Sequence, residues 1–153
     1  MHELVCRELS SDDEIRAAYA LMSALRDRIR PDTFLDEVRR QQLQGYQLIG
    51  AFDEDRLVGL AGIRRSHTLS RGEHLFVDDL VTEPGEQGRG YGTALLRWLG
   101  ARAVAEGIPR LYLDARDTAK GFYAKNGLSF LTSVPCWIEA AALAGTPATG
   151  ARR

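Results

Sequence analysis

The chain has almost no cysteine, almost no lysine and almost no net charge. Its two cysteines, Cys6 and Cys136, lie far apart, with no Cys-x-x-Cys spacing and no neighbouring histidine. That spacing gives no support to a metal site or a disulfide framework, and both thiols are expected as packing residues in a reducing compartment. Twenty basic residues against 21 acidic ones leave a formal charge of -1, so no overall field draws in nucleic acid or an anionic membrane. Only Lys120 and Lys125 are lysines. Arg26, Arg28 and Arg30, like Arg39 and Arg40, fall on expected helices, where a solvated face accounts for them. No apolar run approaches bilayer-spanning length, and Met1-His2-Glu3 opens without the basic and apolar stretches of a signal peptide, so a cytoplasmic protein is expected. At 153 residues and 44% hydrophobic content, one well-buried core is expected, in a single domain over 1–139 with a loosely ordered tail over 140–153.

Glu3 to Leu9 reads as a first strand. Ser11-x-x-Glu14 forms a capping box, followed by Ile15, Tyr19, Met22 and Leu25 on one helical face that ends before Pro31. Thr33-x-x-Asp36 opens a second helix bearing Phe34, Val38 and Leu43, with Gly45 as its stop. Tyr46 to Phe52 and Leu57 to Arg65 are strands joined by the turn Asp53-Glu54-Asp55. A polar loop from His67 to Gly72 precedes the strand Glu73 to Thr82. The apolar stripe of Ala94, Leu95, Trp98 and Leu99 marks a helix stopped by Gly107, and Leu111 to Asp114 is a short strand. A short helix ends at Gly127, and Leu128 to Ser133 with Trp137-Ile138 are read as final strands interrupted by Pro135. This order predicts an α/β arrangement with a mixed, mostly antiparallel sheet.

The stretch from Val81 to Leu96 carries the strongest signal. An apolar strand enters a turn, Gly88, Gly90 and Gly92 follow at alternate positions, and a helix begins. Glycines so placed take every Cβ off the inner wall of the turn, letting backbone N–H groups approach an anion that the helix N-terminus also attracts. The spacing satisfies neither the dinucleotide fingerprint nor the P-loop. With Gln87 it reads Gln-x-x-Gly-x-Gly, which resembles the pyrophosphate-binding motif of the GNAT superfamily of N-acetyltransferases, whose co-substrate is acetyl-CoA. About thirty residues on, Ala119-Lys120-Gly121-Phe122-Tyr123-Ala124-Lys125-Asn126-Gly127-Leu128 resembles the second signature of that family, Ala-x-x-x-Tyr-x-Lys-x-Gly-Phe. The resemblance covers Leu57 to Ser133 well and the N-terminal third only by pattern. It departs at Arg116, where many members carry Asn, and at Leu128, where Phe is usual; the first departure puts in doubt a side-chain contact to the cofactor.

The resemblance implies an α+β fold with six to seven strands and about four helices, in which strands four and five splay and the pantetheine arm lies between them. Backbone groups of Leu80, Val81 and Thr82 would then pair with the arm. Gln87, Gly88, Arg89, Gly90, Tyr91, Gly92 and Thr93 would surround the pyrophosphate. Lys125 either reaches the adenine-side phosphates or stands exposed on its helix. Tyr123 matches the signature tyrosine that protonates the leaving thiolate, and Phe122 beside it can supply the core anchor. For the base, Asp78 is chosen from the face it shares with Phe76 and Leu80; period two sends Asp79 to the other face, a bulge would swap the two, and water is the third route. His74 is a secondary candidate on the substrate side, and His67 reads as a surface residue. The implied activity is direct acetyl transfer from acetyl-CoA to a primary amine of a small molecule. A protein amine, another acyl-CoA and a non-catalytic acyl-CoA-binding module stay open. No metal, nucleic acid or membrane is expected. Val134 to Leu143 could serve a homodimer contact or pack on its own sheet.

Overall fold

The computed structural model describes residues 3–86 and 88–145. By its internal contacts the chain divides after Arg116 into two compact units. The first holds a five-stranded sheet in sequence order: β1 (Val5–Glu8), β2 (Tyr46–Asp53), β3 (Arg56–Thr68), β4 (Gly72–Thr82) and β5 (Leu111–Leu113). The first four strands pair antiparallel and β4 pairs parallel with β5. Expected α+β class and strand arrangement are therefore found, with fewer strands than the six to seven anticipated.

Helices cover both faces, which explains the near-continuous apolar runs in β2 and β3. On one face lie α1 (Asp12–Ala17), α2 (Tyr19–Ser23) and α3 (Phe34–Gln42), where Ile15, Met22, Phe34, Val38, Tyr46 and Leu60 form one buried cluster. On the other lies α4 (Tyr91–Ala105), where Leu95 and Leu99 pack on Ile49, Ile63, Leu75 and Val77. The single first helix read from the sequence is two short ones, and Leu43, placed on its helix's apolar face, is 88% exposed.

The pairing of β4 with β5 runs only from Leu75↔Leu111 to Val77↔Leu113, while β4 continues to Thr82. Beyond Val77, β5 no longer covers that edge of β4. This is the expected splay, and it leaves Leu80, Val81 and Thr82 paired on one side only, with Ala61, Leu60 and Gly59.

The second unit contains a 3-10 turn at Asp117–Ala119, α5 (Lys120–Lys125) and α6 (Ala140–Ala144). Neither Leu128 to Ser133 nor Trp137-Ile138 is a strand. Apolar content proposes a strand, but a strand also needs a partner edge, and Pro135 has no N–H to give one; Val134 and Trp137 are 78% and 84% exposed. The tail expected from Ala140 begins as α6, and 146–153 lie outside the described residues.

Candidate active site

The end of β4 carries an irregularity that decides where its two aspartates point. Gly62 of β3 pairs with Asp79 while Ile63 pairs with Val77, so Asp78 is an extra residue, a β-bulge. Tyr46, Arg64 and Phe76 occupy one cross-strand row and share a face. Asp78 accepts two bonds from Arg64, at 2.6 Å from Nε and 2.8 Å from Nη2. Asp79 accepts 2.7 Å from the Tyr46 hydroxyl and 2.9 Å from Arg26 Nε. Strict alternation would send the two aspartates to opposite faces; the bulge brings both to the face under α1–α3.

Three further details fix this cluster. Arg26 Nη2 also donates 2.6 Å to the Asp78 carbonyl, clamping the bulge itself. Burial, then the charge of Asp79, raises the Tyr46 phenol well above its ordinary range, so it remains a hydrogen-bond donor. At Gly62, any Cβ would stand 2.0 Å from Tyr46 Oη and 2.5 Å from Asp79 Oδ2, so only glycine lets this pair form. Arg26, Tyr46 and Gly62 were not read as site residues. Arg26 was assigned to a solvated helix face, but it lies past the end of α2, in the turn that approaches β4. The available signal was a glycine inside an apolar strand.

A cavity of about 480 Å³ opens on this face. Met22, Ile29, Phe34 and Val38 supply apolar walls; Arg26, Tyr46 and Asp79 form an interlinked polar wall; Arg28, Glu37 and Gln41 also line it. A concave site with apolar walls and convergent polar groups suits a small organic molecule that is itself part polar.

After Thr82 the chain passes a 3-10 turn at Pro84–Glu86 and enters α4 through glycines in left-handed conformation, Gly88 at φ 92° and Gly90 at φ 83°. Gly90 is the N-cap, no side chain caps the helix, and its first turn holds no carboxylate. A 15-residue helix starting this way leaves its first-turn amides without a side-chain cap at its positive end. The Tyr91 side chain is used differently: its hydroxyl donates 2.5 Å to Asp53 Oδ2, tying the helix start to β2. Thr93 is half-buried and Arg89 exposed on the same turn, while Gln87 lies outside the described residues. The residues fit a phosphate-bearing ligand: two positive-φ glycines, an uncapped helix and an open strand edge just before them.

Arg116, at the position of the first departure, donates 2.6 Å to the Leu25 carbonyl. His74 is 3% exposed; its Nδ1–H donates 2.8 Å to the Gly72 carbonyl and its ring meets Tyr112 edge-on, so it packs inside the sheet. His67 pairs with Glu73 at the surface. In the second unit the expected anchor is reversed: Tyr123 is buried and Phe122 beside it only half-buried, and burial raises the Tyr123 phenol pKa. Lys125 is exposed in the last turn of α5, and Gly127 follows at φ 91°. Among the described residues no cluster of His, Cys, Asp or Glu could hold a metal ion, and no helix is long and apolar enough to cross a membrane.

A glycine-led, uncapped helix start follows the splayed strand, in a mixed sheet covered on both faces. The chain belongs to the acetyltransferase (GNAT) family, whose model matches residues 12–128, a span that runs through both compact units. YhdJ, an uncharacterized N-acetyltransferase of Bacillus subtilis, is 29% identical over 121 residues, covering 76% of this chain and 85% of its own. Among solved structures, the aminoglycoside N-acetyltransferase AAC(6')-Iy in complex with CoA is similar with a TM-score of 0.77, at 14% identity over 92% of this chain and 97% of its own. Glucosamine-6-phosphate N-acetyltransferase from Arabidopsis thaliana gives 0.69, at 18% identity over 91% and 99%. At these identities the two structures establish the fold.

Proposed function

We propose that residues 1–139 act as one domain that transfers an acetyl group from acetyl-CoA directly to a primary amine of a small molecule held in the cavity under α1–α3. The observation that carries this reading is that the open end of β4 serves two places at once. Its edge leads into the glycine turn, and its bulge delivers Asp79 to the cavity wall.

On the donor side, backbone groups of Leu80, Val81 and Thr82 pair with the pantetheine arm. The turn from Gln87 to Thr93, with Gly88, Arg89, Gly90, Tyr91 and Gly92, receives the pyrophosphate, and Lys125 adds a cation toward the phosphates. On the acceptor side an amine reaches the cavity as an ammonium and must lose a proton before its lone pair can attack. Both aspartates have both oxygens engaged, Asp78 by Arg64 and Asp79 by Arg26 and the Tyr46 hydroxyl, but of the two it is Asp79 that lines the cavity. Asp79 therefore binds the ammonium and takes the proton, directly or through water, in preference to Asp78. The nitrogen–carbon bond forms, the carbon–sulfur bond breaks, the leaving thiolate takes a proton from the Tyr123 hydroxyl, and the second proton lost from the nitrogen restores that hydroxyl through solvent. Burial keeps that hydroxyl protonated, as a donor must be.

The test is calorimetric titration with acetyl-CoA beside a thiol-release assay over a panel of primary amines. Tyr123→Phe should lower turnover by about a hundredfold or more while leaving acetyl-CoA affinity nearly unchanged. Full turnover in that variant removes Tyr123 from the chemistry. Tight acetyl-CoA binding with no thiol release for any amine would instead mark an acyl-CoA-binding module.

A further inference from the structure

The charges around the cavity are not balanced in pairs. Arg26 and Asp79 form an ion pair, with the Asp79 side chain only 12% exposed. Two other charged residues line the same cavity, Arg28 from the turn after α2 and Glu37 from the first turn of α3. Neither has an oppositely charged partner among the described residues, and they do not bridge to each other; Glu37 accepts only the Thr33 hydroxyl, at 3.2 Å. Both are exposed, whereas Met22, Phe34, Val38 and Tyr46 are buried. The lining thus runs from an apolar and Asp79-bearing interior to a solvent-exposed rim that holds one cation and one anion, unpaired.

A solvated arginine on a helix surface carries no information about ligands. An opposite pair lining one cavity does, because each unpaired charge attracts a ligand group of the other sign. We infer that the acceptor is a diamino acid: its distal amine enters toward Asp79 and its methylene arm lies on Met22, Phe34 and Val38. Its zwitterionic head is held at the rim, the carboxylate by Arg28 and the α-ammonium by Glu37. Arginine recognises a carboxylate through two parallel N–H bonds, which suits it to this position. A lysine within a protein lacks both head charges and is disfavoured by the same rim. This inference rests on the proposed function and narrows its acceptor.

Four amines of similar length separate the contributions: free lysine has both head charges, aminocaproate only the carboxylate, cadaverine only the second ammonium, and pentylamine neither. Thiol release at saturating acetyl-CoA gives kcat/KM for each with wild type, Arg28→Gln and Glu37→Gln. Wild type should prefer lysine. Arg28→Gln should lower the lysine-to-cadaverine ratio about tenfold, and Glu37→Gln the lysine-to-aminocaproate ratio by a similar factor, both mainly through KM. Turnover of pentylamine or cadaverine as fast as lysine overturns the inference, as does an equal loss on all four amines in either variant; thiol release in those cases leaves the acetyltransferase reading intact. No turnover of any of the four also overturns it, and the acetyl-CoA titration then decides the wider reading separately.

Discussion

The glycine turn before α4 and the cavity under α1–α3 belong to the same compact unit, yet they are built in opposite ways. The turn offers backbone: Gly88 and Gly90 at positive φ, an uncapped helix start and a strand edge that β5 does not cover. Any residue type with a side chain works against it, so the requirement is written as glycine in one short stretch. The cavity offers side chains gathered from five places: α2, the turn after it, α3, the start of β2 and the bulge of β4. A backbone site constrains its own sequence locally, whereas a side-chain site is constrained by packing across the fold. The first kind suits the part of a reaction that stays fixed, the second the part that selects among acceptors.

Gly90→Val is the strongest way to break the donor half. A Cβ at this position meets nothing within 4 Å, so crowding is not the cause. The cost comes from φ 83°, which a β-branched residue adopts only with strain, and the turn must change its path. Acetyl-CoA affinity should fall on the order of a hundredfold by calorimetry, since several charge-assisted backbone bonds are lost together. Retained affinity would mean that the cradle lies elsewhere.

Gly62→Ala attacks the acceptor half alone. Its Cβ would sit 2.4 Å from Tyr46 Cζ as well as against Asp79, within a buried row that has no room to give. Overpacking of this kind costs about 1–3 kcal/mol, and kcat/KM for the amine should drop roughly tenfold as the Tyr46–Asp79 bond is displaced. Acetyl-CoA affinity should hold. Gly59→Ala, three residues earlier on β3, is the internal control, because there a Cβ stays 3.4 Å from its nearest neighbours. Equal losses in the two variants would show that glycine matters to the strand and not to the pair.

This difference in construction also explains what could be read from the sequence. Strand order, the Ser11 capping box, the stops at Gly107 and Gly127 and the glycine turn were all legible, because each depends on a few adjacent residues. The helix before Pro31 was read too long, and the strands after Gly127 were read where none forms, because apolar content does not reveal the partner a segment finds. The placement of Asp79 was beyond period-two reasoning: one inserted residue at Asp78 reverses the alternation, and the sequence shows the pair Asp78-Asp79 without showing the bulge. Arg26 could not be assigned either, since its partner lies 53 positions away. Gly62 was a local trace of the cavity, but Gly50 and Gly59 also lie inside apolar strands, so the sequence could not single it out.

The smallest expected effect lies in the scaffold of the acceptor half. Glu14 closes the capping box of α1: its backbone N–H donates 3.1 Å to Ser11 Oγ, and its carboxylate accepts from the amides of Ser10 and Ser11 and from Arg7. The bond from Arg7, followed by those two amides, holds the Glu14 carboxyl down to about 2 from an ordinary 4.5. A depressed folded pKa means that the unfolded chain binds the proton first, so this contribution is complete above 4.5 and fades as the pH falls toward 2. Glu14→Gln should therefore be slightly less stable than wild type at neutral pH, with a deficit that shrinks through that window. Urea unfolding midpoints at neutral and acid pH measure it. Because α1 places Ile15 in the same core as Phe34 and Tyr46, any functional trace should fall on the amine and not on acetyl-CoA. A deficit that stayed constant with pH would instead assign Glu14 to packing and leave the ionised box without a role.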